Sequence, residues 1–155
     1  MSSQRSSRPS QQAGFTLIEV LVSVLIFSFG ILGLVGLQAN AIKMSTDAQQ
    51  RAEATFLADQ LLARMLIADP ATADTFAHKP SGTTLCAPDG AASTNAMVVE
   101  WLAEVTATFP RAAAAEQQII VSATSPGQVT VRLCWKNAEN DAPHTLEVTN
   151  RVQWQ

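Results

Sequence analysis

The sequence predicts an α+β fold in which a long N-terminal helix covers a C-terminal antiparallel sheet of three or more strands. Three observations carry this prediction. An apolar run fills residues 15–37, and helix-forming residues continue to about residue 68 without Pro or Gly. The last forty residues then alternate apolar and polar side chains in three segments separated by turn signals.

Length and charge narrow the class. A chain of 155 residues fits one small domain with an elongated appendage. Ten Lys+Arg against thirteen Asp+Glu give a formal charge of −3, with the positives scattered, so no direct nucleic-acid footprint is expected. Cys86 and Cys134 lie far apart and form no CxxC, which argues against a zinc site or a thioredoxin-type centre. His78 and His144 sit in Pro-flanked loop contexts. Neither has a Ser, Cys or acid in a recognisable catalytic arrangement, and no phosphate-binding glycine loop appears. The expectation is a non-enzyme with no metal and no cofactor.

The N-terminal helix begins with a polar stretch, MSSQRSSRPSQQAG, that holds Arg5 and Arg8 and no acid. The apolar run FTLIEVLVSVLIFSFGILGLVGL follows, and Glu19 is its only ionisable side chain. As a helix the run reaches roughly 34 Å, enough for a bilayer core of about 30 Å. Positive charge before the run and none after it until Lys43 places the N-terminus in the cytoplasm and the bulk of the chain outside.

Three readings fit this segment. It is a plain signal anchor, or a secretory signal peptide cut at Ala39-Asn40-Ala41, or a third kind of leader. An apolar run longer than the usual 7–15 residues counts against the secretory reading. The junction Gly14-Phe15-Thr16-Leu17-Ile18-Glu19 resembles the class III leader of type IV pilins and type II secretion pseudopilins. That resemblance implies cleavage after Gly14 by a prepilin peptidase and methylation of the new N-terminal Phe15. It also implies that Glu19 neutralises the amine of an adjacent subunit and so sets register in a filament. The physics agrees, because a carboxylate inside an apolar span costs about 2.5–3.5 kcal/mol unless it has a partner. An amine on Phe15 would lie one helical turn before Glu19. Gly30, Gly33 and Gly36 do not form GxxxG; they favour close helix packing or local softening of the helix.

Beyond the membrane run, Ala54, Leu57, Ala58, Leu61, Leu62 and Met65 make an apolar stripe at helical spacing, and Pro70 ends the pattern. Residues 69–96 read as a loop that contains Cys86. Val98, Trp101, Leu102, Val105 and Phe109 then mark a short helix, capped by Thr94 or Asn95 and closed by Pro110. Glu100 and Glu104, one turn apart, read as its solvated face.

Strands are expected near 118–124, 128–136 and 144–154, with Ser125-Pro126-Gly127-Gln128 as a turn. Val129, Val131, Leu133 and Trp135 share one phase; Leu146, Val148, Val152 and Trp154 share the matching one. Cys134 lies on the opposite phase from Trp135. In an exported domain a Cys86–Cys134 disulfide is expected over two free buried thiols, pinning the 69–96 loop to the sheet's other face.

Over its length the chain resembles a type IV pilin-like subunit. The anchor GILGLVGLQANAIK, the helix with Trp101 ending at Phe109-Pro110, and the strand VTVRLCWK resemble PilV-type minor pilins, also called type IV pilus modification proteins. The implied plan is a cleaved leader 1–14, a transmembrane helix 15–37, its amphipathic continuation 38–68, and a periplasmic head 69–155 with a helix at 96–109. The implied role is a minor pilin that helps initiate pilus assembly and sits at or near the pilus tip. Its partners would be the prepilin peptidase, other minor and major pilins, the inner-membrane assembly platform and lipid. It would sit in the bacterial inner membrane as a single-pass protein and then in the pilus. A type II secretion pseudopilin is the neighbouring alternative, and a signal-anchored periplasmic enzyme the distant one.

Overall fold

One helix, α1 (Leu17–Leu66), accounts for the N-terminal third of the protein in a computed structural model that describes residues 14–109, 111–139 and 141–153. Residues 1–13 of the expected leader 1–14, and the landmarks Pro110 and Trp154, lie outside the described residues. The chain forms two compact units, Met1–Ser45 and Thr46–Gln155, so the boundary falls within α1.

In the second unit, α1 buries Ala54, Leu57, Ala58, Leu61, Leu62 and Met65, the stripe that the 3–4 spacing marks out. Past α1, Asp69 accepts from the Ala71 amide at 2.9 Å and caps a short 3₁₀ helix, Pro70–Phe76. This turn carries Phe76 into the core. A seven-residue 3₁₀ segment has too little periodicity to stand out from the surrounding loop composition.

Helix α2 (Ala96–Thr108) is capped by Asn95, whose side-chain oxygen accepts from the Met97 amide at 2.9 Å. Its buried face is Val98, Trp101, Leu102 and Val105. The helix stops before Phe109, which turns extended and buries its ring. Trp101 Nε1 donates to the Leu57 carbonyl of α1 at 2.7 Å, satisfying a buried donor and locking α2 to α1.

The sheet contains β1 (Gln118–Val121), β2 (Gln128–Trp135) and β3 (His144–Arg151), antiparallel in the order β1-β2-β3. This is the α+β architecture that the patterning predicts, a long apolar helix followed by a small antiparallel sheet. β1 ends at Val121 rather than near 124 because the turn starts early: Ser122 Oγ accepts from the Ser125 amide at 3.0 Å. The Gln128 amide then closes on the Ser125 carbonyl at 2.9 Å. Pro126 followed by Gly127 at φ +78° is the residue order of a type II turn. β3 ends at Arg151, and Val152 beyond it is still buried.

Val129, Val131, Leu133 and Trp135 of β2 are all fully buried against the helices. Ile119 of β1 stands opposite Val131, and Val131 opposite Val148 of β3, so one apolar row crosses the sheet. The Trp135 ring stacks on Phe109 at 5.1 Å and on His144 at 5.7 Å between centroids. Its Nε1 reaches Gln50 Oε1 of α1 at 3.1 Å.

Candidate functional site

Two regions bear on function, one in each unit. In the first, Gly14, Phe15 and Thr16 precede α1. The Thr16 carbonyl accepts from the Glu19 amide at 3.0 Å and from the Val20 amide at 3.3 Å, which starts the helix. Phe15 therefore lies ahead of the helix rather than in its first turn. Glu19 is the third residue of α1, where the helix N-terminus favours a carboxylate. Among the described residues its carboxylate makes no ion pair.

Every Leu, Ile, Val and Phe from Phe15 to Leu37 is exposed. By length and composition α1 is able to cross a membrane. Burying each such side chain in an apolar medium is favourable by about 1.5–3 kcal/mol, so a surface of this kind in water calls for lipid or for neighbouring helices. A Cβ added at Gly30, Gly33 or Gly36 meets no atom within 4 Å, which leaves these positions open to close approach by another helix.

The second region is the sheet face turned away from the helices. Cys86 and Cys134 form a disulfide, with Cα atoms 5.5 Å apart. Beside it a polar row crosses the three strands. Arg132 Nη1 donates to Gln118 Oε1 at 2.8 Å, and Arg132 Nε donates to Glu147 Oε2 at 2.6 Å. Gln118 Nε2 continues the row by donating to the Lys79 and Ser81 carbonyls, both at 2.9 Å. The loop around Cys86 is thus held by one covalent bond and by backbone carbonyls on a single amide. A cavity of about 90 Å³ remains beside the bridge, lined by Leu85, Pro88, Glu116, Arg132 and Leu146 among others. It is smaller than the ~300 Å³ at which small-molecule pockets begin.

The histidines and the paired acids have structural roles here. His78 is buried; its Nδ1 accepts from the Ser93 amide at 3.1 Å while Nε2 lies 3.0 Å from the Ala114 carbonyl, fixing the Nε2–H tautomer. His144 stacks on Trp135 and places Nδ1 3.1 Å from Asp47 Oδ1. Glu104 is not merely solvated: Arg64 Nη2 donates to its Oε1 at 2.7 Å, and Glu100 lies 3.9 Å from Nη1. The sequence pattern misses this clasp because Arg64 is half-buried at the edge of the α1 stripe, and only the packing of α2 on α1 sets it opposite two acids.

The family model of the prokaryotic N-terminal methylation motif matches residues 9–35. The match spans Gly14, Phe15 and Glu19 and runs into the exposed apolar helix. No curated protein and no solved structure matches the chain significantly. The prepilin-type motif, the long apolar helix and the small antiparallel sheet together support a type IV pilin-like protein, pilin or pseudopilin, anchored in a membrane by its N-terminal segment. Such a motif implies processing by a prepilin peptidase and assembly with other pilins.

Proposed function

We propose that this chain is a minor pilin of a type IV pilus, a structural subunit that takes part in initiating assembly and resides at or near the pilus tip. The observation that carries the reading is the methylation motif at residues 9–35, which overlaps the exposed apolar first part of α1 and includes Glu19 near its start. In this reading the peptidase cuts between Gly14 and Phe15 and methylates the Phe15 amine. The cut removes Arg5 and Arg8, taking the formal side-chain charge from −3 to −5. Before the cut those arginines hold the N-terminus on the cytoplasmic side, and residues 69–155 form the periplasmic head.

After the cut, the Phe15 amine of one subunit and Glu19 of its neighbour neutralise each other in the apolar interior. The pairing relieves the cost of about 2.5–3.5 kcal/mol that an unpartnered carboxylate carries inside an apolar span. The PilV-type assignment draws on the order of elements: Trp101 on α2, Phe109 after it, and the strand VTVRLCWK with its disulfide.

Intact-mass analysis of the membrane-extracted protein tests the processing step. The expected mass lacks residues 1–14 and carries one added methyl group on Phe15. A mature N-terminus at Ile42 would establish secretory processing instead. Deletion of the gene separates pilus from secretion system. Loss of surface pili with normal exoprotein release supports the minor pilin; the reverse assigns the chain to a type II secretion system.

A further inference from the structure

The two edges of the sheet differ. On the β1 edge, His78 exchanges two backbone bonds with Ile119, at 3.0 and 2.9 Å, and so covers the strand. On the other edge β3 keeps eight residues in unbroken register with β2. The Val152 amide donates to the Gly127 carbonyl at 2.7 Å, which sets the even-numbered residues of β3 to bond β2. Thr145, Glu147, Thr149 and Arg151 therefore turn their backbone groups outward. Among the described residues, those of Thr145, Glu147 and Thr149 have no partner. The side chains follow the same alternation. Leu146 and Val148 lie on the helix-covered face but are only half-buried, since the core ends at this edge. Glu147 and Arg151 lie on the other face, four residues apart and opposite in charge.

We propose that this edge receives an extended segment of a different protein as a fourth strand, antiparallel to β3. The open backbone groups call for another extended backbone, a mode in which main-chain bonds supply affinity and alternate side chains supply selection. Antiparallel pairing continues the pattern of the sheet and is slightly more stable per residue than parallel pairing. The side chains of β3 define the occupant. Opposite Leu146 and Val148 it carries apolar residues, which complete the edge of the core. Opposite Glu147 it carries a base and, four residues earlier, opposite Arg151, an acid. Arg132 engages only Oε2 of Glu147, which leaves Oε1 for the incoming cation. Among the described residues the Arg151 guanidinium makes no ion pair. Read from its N-terminus, the segment is acid-x-x-apolar-base-apolar. Like charges directly opposite are destabilising, so the two residues that deter other strands select this one.

A second copy of this chain does not fit. β3 starts beside Asp47, which lies 3.1 Å from His144, and it ends where Arg151 and Pro70 line one shallow depression. It thus runs the same way as the outer half of α1. Antiparallel β3 strands would send the two α1 helices in opposite directions, which two chains anchored in one membrane do not allow. The inference rests on the sheet and the anchor, and it does not need the minor-pilin role.

Two fluorescein-labelled peptides test it against the full chain in detergent micelles. The first, Glu-Thr-Thr-Val-Lys-Val-Thr, has the inferred order; the second, Lys-Thr-Thr-Val-Glu-Val-Thr, exchanges only the charges. By fluorescence anisotropy the first should bind about tenfold more tightly. Glu147→Arg with Arg151→Glu in the chain should reverse that preference. Bound peptide should slow amide exchange at Thr145, Glu147 and Thr149, while Leu146 and Val148, already bonded to β2, should change little. Thr149→Pro should abolish binding because it removes an outward donor, whereas Thr149→Val, which loses the same hydroxyl, should keep it. Equal binding of the two peptides, no binding of either, unaltered exchange at the odd positions, or binding that survives Thr149→Pro would overturn the inference. The peptide comparison uses the unaltered chain, so it decides the matter even if a variant fails to fold. Filament assembly plays no part in the readout, and failure here leaves the proposed function intact.

Discussion

The side-chain amide of Gln117 pairs with both backbone polar groups of Cys134. Its Nε2 donates to the Cys134 carbonyl at 3.0 Å, and its Oε1 accepts from the Cys134 amide at 2.9 Å. β1 begins only at Gln118, so no strand residue stands opposite Cys134 on that side. Gln117, fully buried, replaces the missing strand partner. Its Nε2 also donates to the Ala113 carbonyl at 2.9 Å, which ties the preceding loop to the same point.

Gln117→Leu should therefore destabilise the head well beyond its change in volume. It strands a buried amide and carbonyl, each costing about 1–3 kcal/mol. Urea unfolding should show a loss of roughly 2–4 kcal/mol, with faster hydrogen exchange at the Cys134 amide. A loss below about 0.5 kcal/mol, typical of a surface site, would mean that water replaces the amide.

Reducing the Cys86–Cys134 bridge should lower stability by roughly 4 kcal/mol, as the chain-entropy relation gives for a loop of this length. The two cysteines are 48 residues apart. Because Gln118 also holds the Lys79 and Ser81 carbonyls, the loop should loosen without leaving the sheet. Thermal unfolding with and without reductant, together with exchange at residues 79–90, checks both parts.

Gly127→Ala should be costly for two reasons. The residue sits at φ +78°, and an added Cβ would lie 2.5 Å from the Val152 carbonyl oxygen. Left-handed strain alone contributes about 1–2 kcal/mol for a residue with a Cβ. The clash adds to it and opposes the Val152–Gly127 backbone bond at the end of the β2–β3 ladder. Denaturant unfolding should register a loss of at least about 2 kcal/mol. Asn at this position, which tolerates the left-handed region, relieves only the first part.

If the chain is processed and assembled as proposed, Glu19→Val should leave cleavage after Gly14 largely intact while reducing incorporation into filaments several-fold. It removes an exposed carboxylate from the apolar helix, so insertion into the membrane itself becomes easier by about 2.5–3.5 kcal/mol. Wild-type piliation with unchanged recovery alongside the other pilins would sink the charge-pairing account.

Read residue by residue, the apolar periodicities locate most of the core. The α1 stripe from Ala54 to Met65, the face of α2 from Val98 to Val105, and the β2 row from Val129 to Trp135 are buried as their spacings predict. The N-terminal methylation motif at residues 9–35 is equally legible, because it lies in consecutive residues. Burial periodicity and a contiguous peptidase motif are local properties, and local properties survive in a linear string.

What the string does not carry are partnerships between residues far apart in it. Gln117 reads as a polar residue before a strand, and only the register of β1 on β2 makes it the partner of Cys134. Arg64 reads as a charge off the stripe until α2 brings Glu104 within 2.7 Å. Phe76 reads as loop until Asp69 caps a turn that carries it inward. The start of α1 at Leu17, with Phe15 outside it, likewise depends on which carbonyl captures the first amides. Sequence by itself determined the long apolar run, the N-terminal methylation motif and the apolar faces, since hydrophobic burial needs only the right side chains at the right period. The tertiary structure decided how the polar groups are satisfied and which sheet edge is left open, since hydrogen bonds are directional and wait until packing has set both partners in place.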